Sequence, residues 1–269
     1  MKQIASGKRG RVYDLGDGQI AKYYVPDAPD TALEREVLAA RLAHDHGVPT
    51  PKVLSVDRDI AQGRVVFEYV SGVAVSWYVL KRPWRLFWAS REMARCLANL
   101  HTIPDTQTPN LKTEMCKEID SLSCLTSDTK KEILDQINQF SGPERLCHFD
   151  YHSSNVMVSD GACVVIDWGA ARSGPPLADL TQTCVINRVD SFPDGTGALM
   201  RLVIRALRWL HIELLIAFYS HYSQDHSYAS VRRGIRAWQR PIAAARLADD
   251  IAYERTALLR LVNSRTSSL

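Results

Sequence analysis

The 269-residue sequence has no Cys-x-x-Cys pair among its six cysteines, no long uninterrupted apolar run and no large excess of charge of either sign. Each absence removes a class of protein. Cys96, Cys116, Cys124, Cys147, Cys163 and Cys184 lack the spacing of a zinc site or redox pair, and several fall in apolar patterns where a free thiol behaves as a small hydrophobe. They are expected to be reduced thiols of a cytoplasmic protein. The stretch MKQIASGKRGRVYDLG lacks an apolar signal-peptide core, and the most hydrophobic later segment is interrupted by Arg201, Arg205, Arg208 and Glu213, so no membrane span is expected. A formal net charge of +3 is too small to imply a nucleic acid partner, although residues 201–269 carry eleven basic and five acidic side chains. Nothing in the pattern specifies an oligomeric state.

What is present is an ordinary globular composition, 46% hydrophobic and 23% charged, in a chain long enough for two lobes that share a cleft. The informative segment runs from Cys147 to Gly169, CHFDYHSSNVMVSDGACVVIDWG: a His-x-Asp, an Asn five residues later, and an Asp-x-Gly at the end of an apolar strand. Phosphoryl transfer from ATP asks little covalent chemistry of a protein; it asks for a positioned nucleophile and for Mg²⁺ to neutralise charge. Asp150 fits the carboxylate that faces an acceptor hydroxyl, and Asn155 and Asp167 offer the hard oxygen ligands that Mg²⁺ prefers. Asn155 to Val158 and Cys163 to Ile166 are β-prone runs around the turn Ser159-Asp160-Gly161, so a hairpin is expected to bring Asn155 and Asp167 to one end. Alone, His148 reads equally as a loop-holding residue and Asp-x-Gly as a turn. His152 reads either as a loop organiser or as a contact to phosphate or substrate.

The combination His-x-Asp-x-x-x-x-Asn followed by Ile-Asp-Trp-Gly resembles the aminoglycoside phosphotransferase and choline kinase group of small-molecule kinases. The resemblance implies an α+β, bilobal, protein kinase-like fold: a small antiparallel β lobe over residues 1–70 that binds nucleotide, and a larger, mainly helical lobe over residues 71–269 that carries catalysis and the acceptor site. Trp168 stands where a protein kinase has the Phe of Asp-Phe-Gly, and no Ala-Pro-Glu follows, which points to a small-molecule acceptor. A nucleotide-binding pseudokinase and a protein kinase are the competing readings. The intact Asp150, Asn155 and Asp167 set argues against the first and the missing activation segment against the second.

In the N-terminal part, Val12–Leu15 and Gln19–Tyr24 flank Gly16-Asp17-Gly18 and read as a hairpin. Ser6-Gly7-Lys8-Arg9-Gly10 before it could bring backbone N–H groups at Gly7 to nucleotide phosphates, with an ordinary glycine turn as an equal alternative. Lys22 follows Ile20-Ala21 on a strand, where a fixed ammonium can pair the α- and β-phosphates if a carboxylate holds it. Thr31-x-x-Glu34 reads as a capping box opening the next helix, and the family resemblance selects Glu36 as the partner of Lys22. His46-Gly47 with Pro49 and Pro51 should end that helix. The resemblance also places a hinge at Ser71-Gly72, with adenine bonded to backbone groups near Glu68 and Val70 and Phe67 at the back of the pocket.

In the C-terminal part, Met93, Leu97 and Leu100 mark an amphipathic helix expected beneath the catalytic loop, and Lys130–Phe140 marks another. Asp179, after a Gly-Pro turn, is expected to brace the catalytic loop by accepting backbone N–H groups. Leu199–Tyr219 reads as a mostly buried helix with an arginine stripe, and the segments around Trp238 and Leu258 as closing helices. The expected activity is transfer of the ATP γ-phosphate to a small-molecule hydroxyl, in antibiotic resistance or metabolism. A polycationic acceptor would need carboxylates, with candidates at Glu114, Glu118, Asp190, Asp194, Glu213, Asp249, Asp250 and Glu254. A quaternary ammonium would need an aromatic cage, with Trp84, Trp88, Trp209 and Trp238 available.

Overall fold

Asp17 and Gly18 both take positive φ, 50° and 71°, the geometry of the two-residue turn that matches strand twist. In the computed structural model, which describes residues 1–269 apart from 8–9, 26–30, 60–62, 189–194, 224–226 and 265–269, this turn joins β2 (Gly10–Gly16) to β3 (Gln19–Tyr24). With β1 (Lys2–Ser6), β4 (Val53–Asp57) and β5 (Arg64–Glu68) they form an antiparallel sheet in the order β1-β2-β3-β5-β4. β1 is an edge strand with every residue exposed, so it carries no alternation by which its sequence could announce it.

Helix α1 (Ala32–Asp45) lays Leu33, Val37 and Ala40 against the sheet. Its expected capping box is absent. Thr31 already has helical backbone angles, φ −86° and ψ −1°, and its side chain caps nothing; Glu34 instead accepts from Arg58 Nε at 2.9 Å. The other end stops as the sequence predicts. Gly47 takes φ 76°, and the N–H groups of Gly47 and Val48 donate to the carbonyls of His44 and Ala43 at 2.9 and 3.0 Å, the paired closure of a glycine-ended helix.

The remainder is mainly helical: α2 (Val75–Lys81), α3 (Leu86–Leu100), α4 (Leu111–Ser121), α5 (Ser127–Gln139), α6 (Pro176–Arg188), α7 (Ala198–Tyr222), α8 (Tyr228–Arg246) and α9 (Arg255–Asn263). Two small sheets interrupt it, one of β6 (Val73–Ala74), β8 (Val156–Ser159) and β9 (Ala162–Val165), the other of β7 (Arg145–Cys147) and β10 (Arg172–Gly174). The β8–β9 hairpin turns at Asp160 and Gly161, with φ of 48° and 79°, where the sequence places it.

Met93, Leu97 and Leu100 of α3 are buried, and Tyr151 of the loop after β7 donates its hydroxyl to the Met93 carbonyl at 2.9 Å. Between Thr106 and Gly142 there are two helices rather than one. α4 was not anticipated, although Leu111, Met115 and Ile119 form its buried stripe and Asn110 caps it by accepting from Thr113 N–H at 3.1 Å. α8 passes through Pro241, which removes a donor to the Ala237 carbonyl; Gln136 Nε2 fills the gap at 2.8 Å. The expectation of a mostly buried α7 is corrected. Its buried residues are confined to His211, Ile212, Leu215, Ile216 and Tyr219, and Leu199, Met200, Leu202 and Trp209 in the first half are exposed. None of the six cysteines forms a disulfide, and no helix among the described residues is long and apolar enough to cross a membrane.

α7 is pinned to α3 through Ser90, whose hydroxyl donates to the Leu86 carbonyl and lies 2.8 Å from His211 Nδ1. The serine hydrogen being used, Nδ1 carries the proton and Nε2 is left buried without a partner. Burial pushes the His211 imidazole down to about 4. The unfolded chain therefore binds the extra proton more readily, so this contribution to stability is complete above the ordinary histidine range and falls as the pH drops towards 4. Denaturation at about pH 7 and about pH 4.5 should show the wild type losing about 2 kcal/mol more over that interval than His211→Leu does. Equal losses in both proteins would refute the assignment.

Candidate active site

Lys22 sits on β3 at a point where the strand passes under Gly10. A side chain on Gly10 would meet the Tyr23 carbonyl oxygen at 2.7 Å and Lys22 Cγ at 3.3 Å, so the close approach requires glycine there. The buried ammonium of Lys22 donates to both Glu36 oxygens, at 2.9 and 2.7 Å, and to Asp167 Oδ1 at 2.8 Å. Tyr24, two residues on and facing the same side, donates its hydroxyl to Glu36 Oε2 at 2.6 Å. Burial works against the charge on Lys22, but Glu36 and Asp167 outweigh it and raise the ammonium above its ordinary range. Burial, reinforced by Glu36, raises the Tyr24 phenol in turn. Lys22 is thus a fixed cation and Tyr24 a permanent donor.

The loop after β7 is held from below by Asp179. Its carboxylate, fully buried on the first turn of α6, accepts from the N–H groups of His148 and Phe149 at 2.8 Å each and lies 3.1 Å from His101 Nε2. This is the brace expected of it. Phe149 needs one, since its φ of 60° is a left-handed conformation that costs a side-chain-bearing residue on the order of 1–3 kcal/mol. The Arg172 guanidinium covers its ring at 4.4 Å. His148 also holds the loop: Nε2 donates to the Ile166 carbonyl at 3.0 Å and Nδ1 accepts from Asp150 N–H at 3.3 Å. That pattern is the neutral tautomer with its proton on Nε2.

Asn155 donates its amide hydrogens to the Asp150 carbonyl and to Asp150 Oδ2, both at 3.0 Å. The amide oxygen of Asn155 therefore points away from Asp150. His152 Nε2 is 3.7 Å from Asp150 Oδ1, and burial lowers its pKa, so the ring beside Asp150 is neutral near neutral pH. The Ile166 N–H donates to the Asn155 carbonyl at 2.9 Å, which sets Asp167 at the same end of the hairpin. Asp167 is left-handed, φ 63°, and leads into Trp168, whose buried indole N–H donates to Thr50 Oγ1 at 2.8 Å. Asn155 and Asp167 together present an amide oxygen and a carboxylate, a donor set that fits a hard divalent cation.

All eight residues selected from the sequence, Gly7, Lys22, Glu36, Glu68, Val70, Asp150, Asn155 and Asp167, line one cleft of about 820 Å³ between the sheet and the helical part. Gly7 N–H is already donated to the Gly10 carbonyl at 2.9 Å; Lys8 and Arg9 of that loop lie outside the described residues. Phe67 lines the cleft beside Glu68.

The acceptor candidates fare differently. Glu114 pairs with Arg35 at 3.1 Å, Glu118 with Arg172 at 2.5 Å, Glu213 with Arg188 and Arg232, Glu254 with Arg246 at 2.5 Å, and Asp250 with Arg255. They are ion pairs spread over the helices, and only Glu118 and Asp249 of the set line the cleft; Asp190 and Asp194 lie outside the described residues. The tryptophans form no cage at the cleft: Trp84 and Trp209 are exposed elsewhere, Trp88 packs on Tyr78, and Trp238 stacks on Phe140 with centroids 4.1 Å apart. Tyr24, Thr50, Arg172, Gln182 and Arg246 at the site were not anticipated. Only the Tyr24 position was within reach, as the residue two beyond Lys22 on the same strand face.

A family model described as the phosphotransferase enzyme family matches residues 1–210. Among solved structures, a choline/ethanolamine kinase family protein from Mesorhizobium loti aligns over 98% of this chain and 88% of its own, with a TM-score of 0.69 and 18% identity. The ADP-bound aminoglycoside phosphotransferase APH(2'')-Ib aligns over 97% and 91%, with a TM-score of 0.64 and 16% identity. An amicoumacin kinase in complex with AMP-PNP and Ca²⁺ aligns over 97% and 86%, with a TM-score of 0.62 and 16% identity. At these identities the likeness is one of fold. No curated protein matches the chain.

Because Asp179 satisfies two buried N–H groups and clamps a strained residue, Asp179→Ala should lower the unfolding free energy by about 3 kcal/mol. Urea denaturation checks this, and a loss below about 1 kcal/mol would show that the loop is held by something else.

Proposed function

Because the chain belongs to the phosphotransferase enzyme family, we propose that it transfers the γ-phosphate of Mg-ATP to a hydroxyl of a small molecule, with Asp150 as the catalytic base. The observation that carries this reading is the position of Lys22, whose ammonium bridges Glu36 and Asp167 at one end of a cleft while Asp150 and Asn155 meet at the same hairpin end. Residues 1–70 would form the nucleotide-binding lobe and residues 71–269 the catalytic and acceptor lobe. We assign recognition of the base to the Glu68 carbonyl and the Val70 N–H, since the N–H groups of Glu68 and Tyr69 donate to the carbonyls of Lys52 and Gly18 at 3.0 and 2.8 Å.

In the mechanism, Lys22 orients the α- and β-phosphates and stays charged because Glu36 holds it. Asn155 and Asp167 would hold Mg²⁺, which when bound neutralises charge on the phosphate oxygens. Asn155 also fixes Asp150 by donating to it, so the carboxylate is aimed before the acceptor arrives. The acceptor oxygen attacks the γ-phosphorus, its proton passes to Asp150, and the bond to the bridging oxygen breaks with its electron pair leaving on ADP. His152, its pKa lowered by burial, lies 3.7 Å from Asp150 Oδ1. Six unpaired thiols support a cytoplasmic location.

Asp150→Ala should keep ATP binding and lose transfer by about two to four orders of magnitude, the scale of a missing general base. Undiminished turnover would remove Asp150 from that role. Asp167→Ala should abolish the Mg²⁺ dependence of nucleotide binding, read by calorimetry with and without the ion; an affinity indifferent to Mg²⁺ in the wild type would count against the metal site.

A further inference from the structure

Among the described residues, two ion pairs cross from residues 1–70 to residues 71–269: Lys22 with Asp167 at 2.8 Å, and Arg35 with Glu114 at 3.1 Å. Both meet α1, at consecutive positions. Glu36 holds the lysine of the first pair, and Arg35 itself makes the second. The side chains of Arg35 and Glu114 are 12% and 23% exposed, and neither lines the cleft. Any effect they have on the site passes through a neighbour.

The far end of this bridge is α4. Glu114 and Glu118 stand one turn apart there, so their side chains share a face of the helix. Glu118 accepts from Arg172 Nη1 and Nη2 at 3.2 and 2.5 Å, and the Arg172 guanidinium covers the ring of Phe149, the residue before Asp150. One helix thus connects the turn of α1 that carries Glu36 to the loop that carries Asp150. Burial works to raise the Glu114 carboxyl, but Lys117, Arg35 and Arg172 outweigh it and hold it below its ordinary range, so the bridge is charged near neutral pH. Lys117, 3.2 Å from Glu114, belongs to α4 itself. Arg35 is the partner that reaches across.

A nucleotide held by Lys22 at one end and by a cation on Asn155 and Asp167 at the other needs the sheet and the helical part at one separation. The Lys22–Asp167 pair cannot set that separation alone, because Asp167 is the residue that would take up the cation. Arg35 and Glu114 have no such second task.

We infer that the Arg35–Glu114 bridge is a clasp that keeps α1 and α4 at the separation the nucleotide needs, and that Glu114 is a positioning residue for Glu36. This rests on the kinase reading above and adds to it a determinant of nucleotide affinity outside the cleft. Without the clasp, part of the population holds the cleft open, and the apparent affinity falls by the fraction that remains closed.

The test is the affinity for AMP-PNP with Mg²⁺, read by calorimetry, in the wild type, Glu114→Gln, Arg35→Met and the double variant. Glu213→Gln is the control, since Glu213 pairs with Arg188 and Arg232 and does not line the cleft. Each single variant should bind about fivefold more weakly, the scale of a partly exposed ion pair, and the double variant no more weakly than either, because both substitutions remove the same bridge. Glu213→Gln should keep its affinity within about twofold of the wild type, whatever happens to its melting temperature. An unchanged affinity in a folded single variant, effects that add in the double variant, or an equal loss in Glu213→Gln would each overturn the clasp; either single variant decides the matter if the other does not fold. Absence of AMP-PNP binding by the wild type would overturn the kinase reading and the clasp together, whereas binding by the wild type with any of the three results above removes the clasp alone.

Discussion

The ammonium of Lys22 is buried, and the fold around the cleft is arranged to keep it charged. The cluster is assembled from three separate parts of the chain: β3 carries the lysine, α1 carries Glu36, and Asp167 lies at the foot of the β8–β9 hairpin, 145 residues away in sequence. Taking a cation and a carboxylate out of water costs several kcal/mol per ion unless the geometry returns it. Here Glu36 receives three donated hydrogens, two directed from Lys22 and one from Tyr24. Removing Lys22 would leave the buried Glu36 carboxylate without its counter-ion. The sheet, the first helix and the hairpin must therefore keep their relative positions for this cluster to exist, and the cleft inherits its shape from that requirement.

A second constraint holds the opposite wall. Asp179 plays for the loop after β7 the part that Glu36 plays for Lys22, but two of its partners are backbone groups. By accepting from His148 and Phe149 it stabilises a left-handed residue immediately before Asp150. His148 then ties that loop to the carbonyl before Asp167, and Trp168 ties the segment after Asp167 to Thr50 beyond α1. The two anchored walls are thus joined at Asp167, which is both a partner of Lys22 and the end of the hairpin. Two of its neighbours on this path, Phe149 and Asp167 itself, are held at positive φ, strain of the kind that persists only where surrounding bonds over-determine the backbone.

How much of this was legible in the sequence depends on the distance over which each feature is determined. Hairpins at Asp17-Gly18 and Asp160-Gly161 and the helix stop at Gly47 are set by residues within a few positions, and all three stand as read. Asp150, Asn155 and Asp167 were selected through a short, chemically specific spacing and Glu36 through the family resemblance, and with Lys22 they line one cleft. Thr31 failed as a cap because a capping box needs a backbone angle at the cap residue that side-chain identity does not dictate. β1 has no buried face, and the exposed first half of α7 is as apolar as a buried helix, so hydrophobic pattern misjudged both in opposite directions.

The ion pairs of the helical part show the same limit in electrostatic form. A list of carboxylates in a sequence invites a cationic ligand, and for two of them the neutralising arginine is remote in the chain: Arg35 from Glu114 by 79 residues, Arg172 from Glu118 by 54. Only the fold brings those pairs to salt-bridge distance, and once paired they present little net field to a ligand. The Lys22 end of the cleft is built on a charge kept fixed, and the wall at Arg172 and Arg246 on charges cancelled by neighbouring carboxylates.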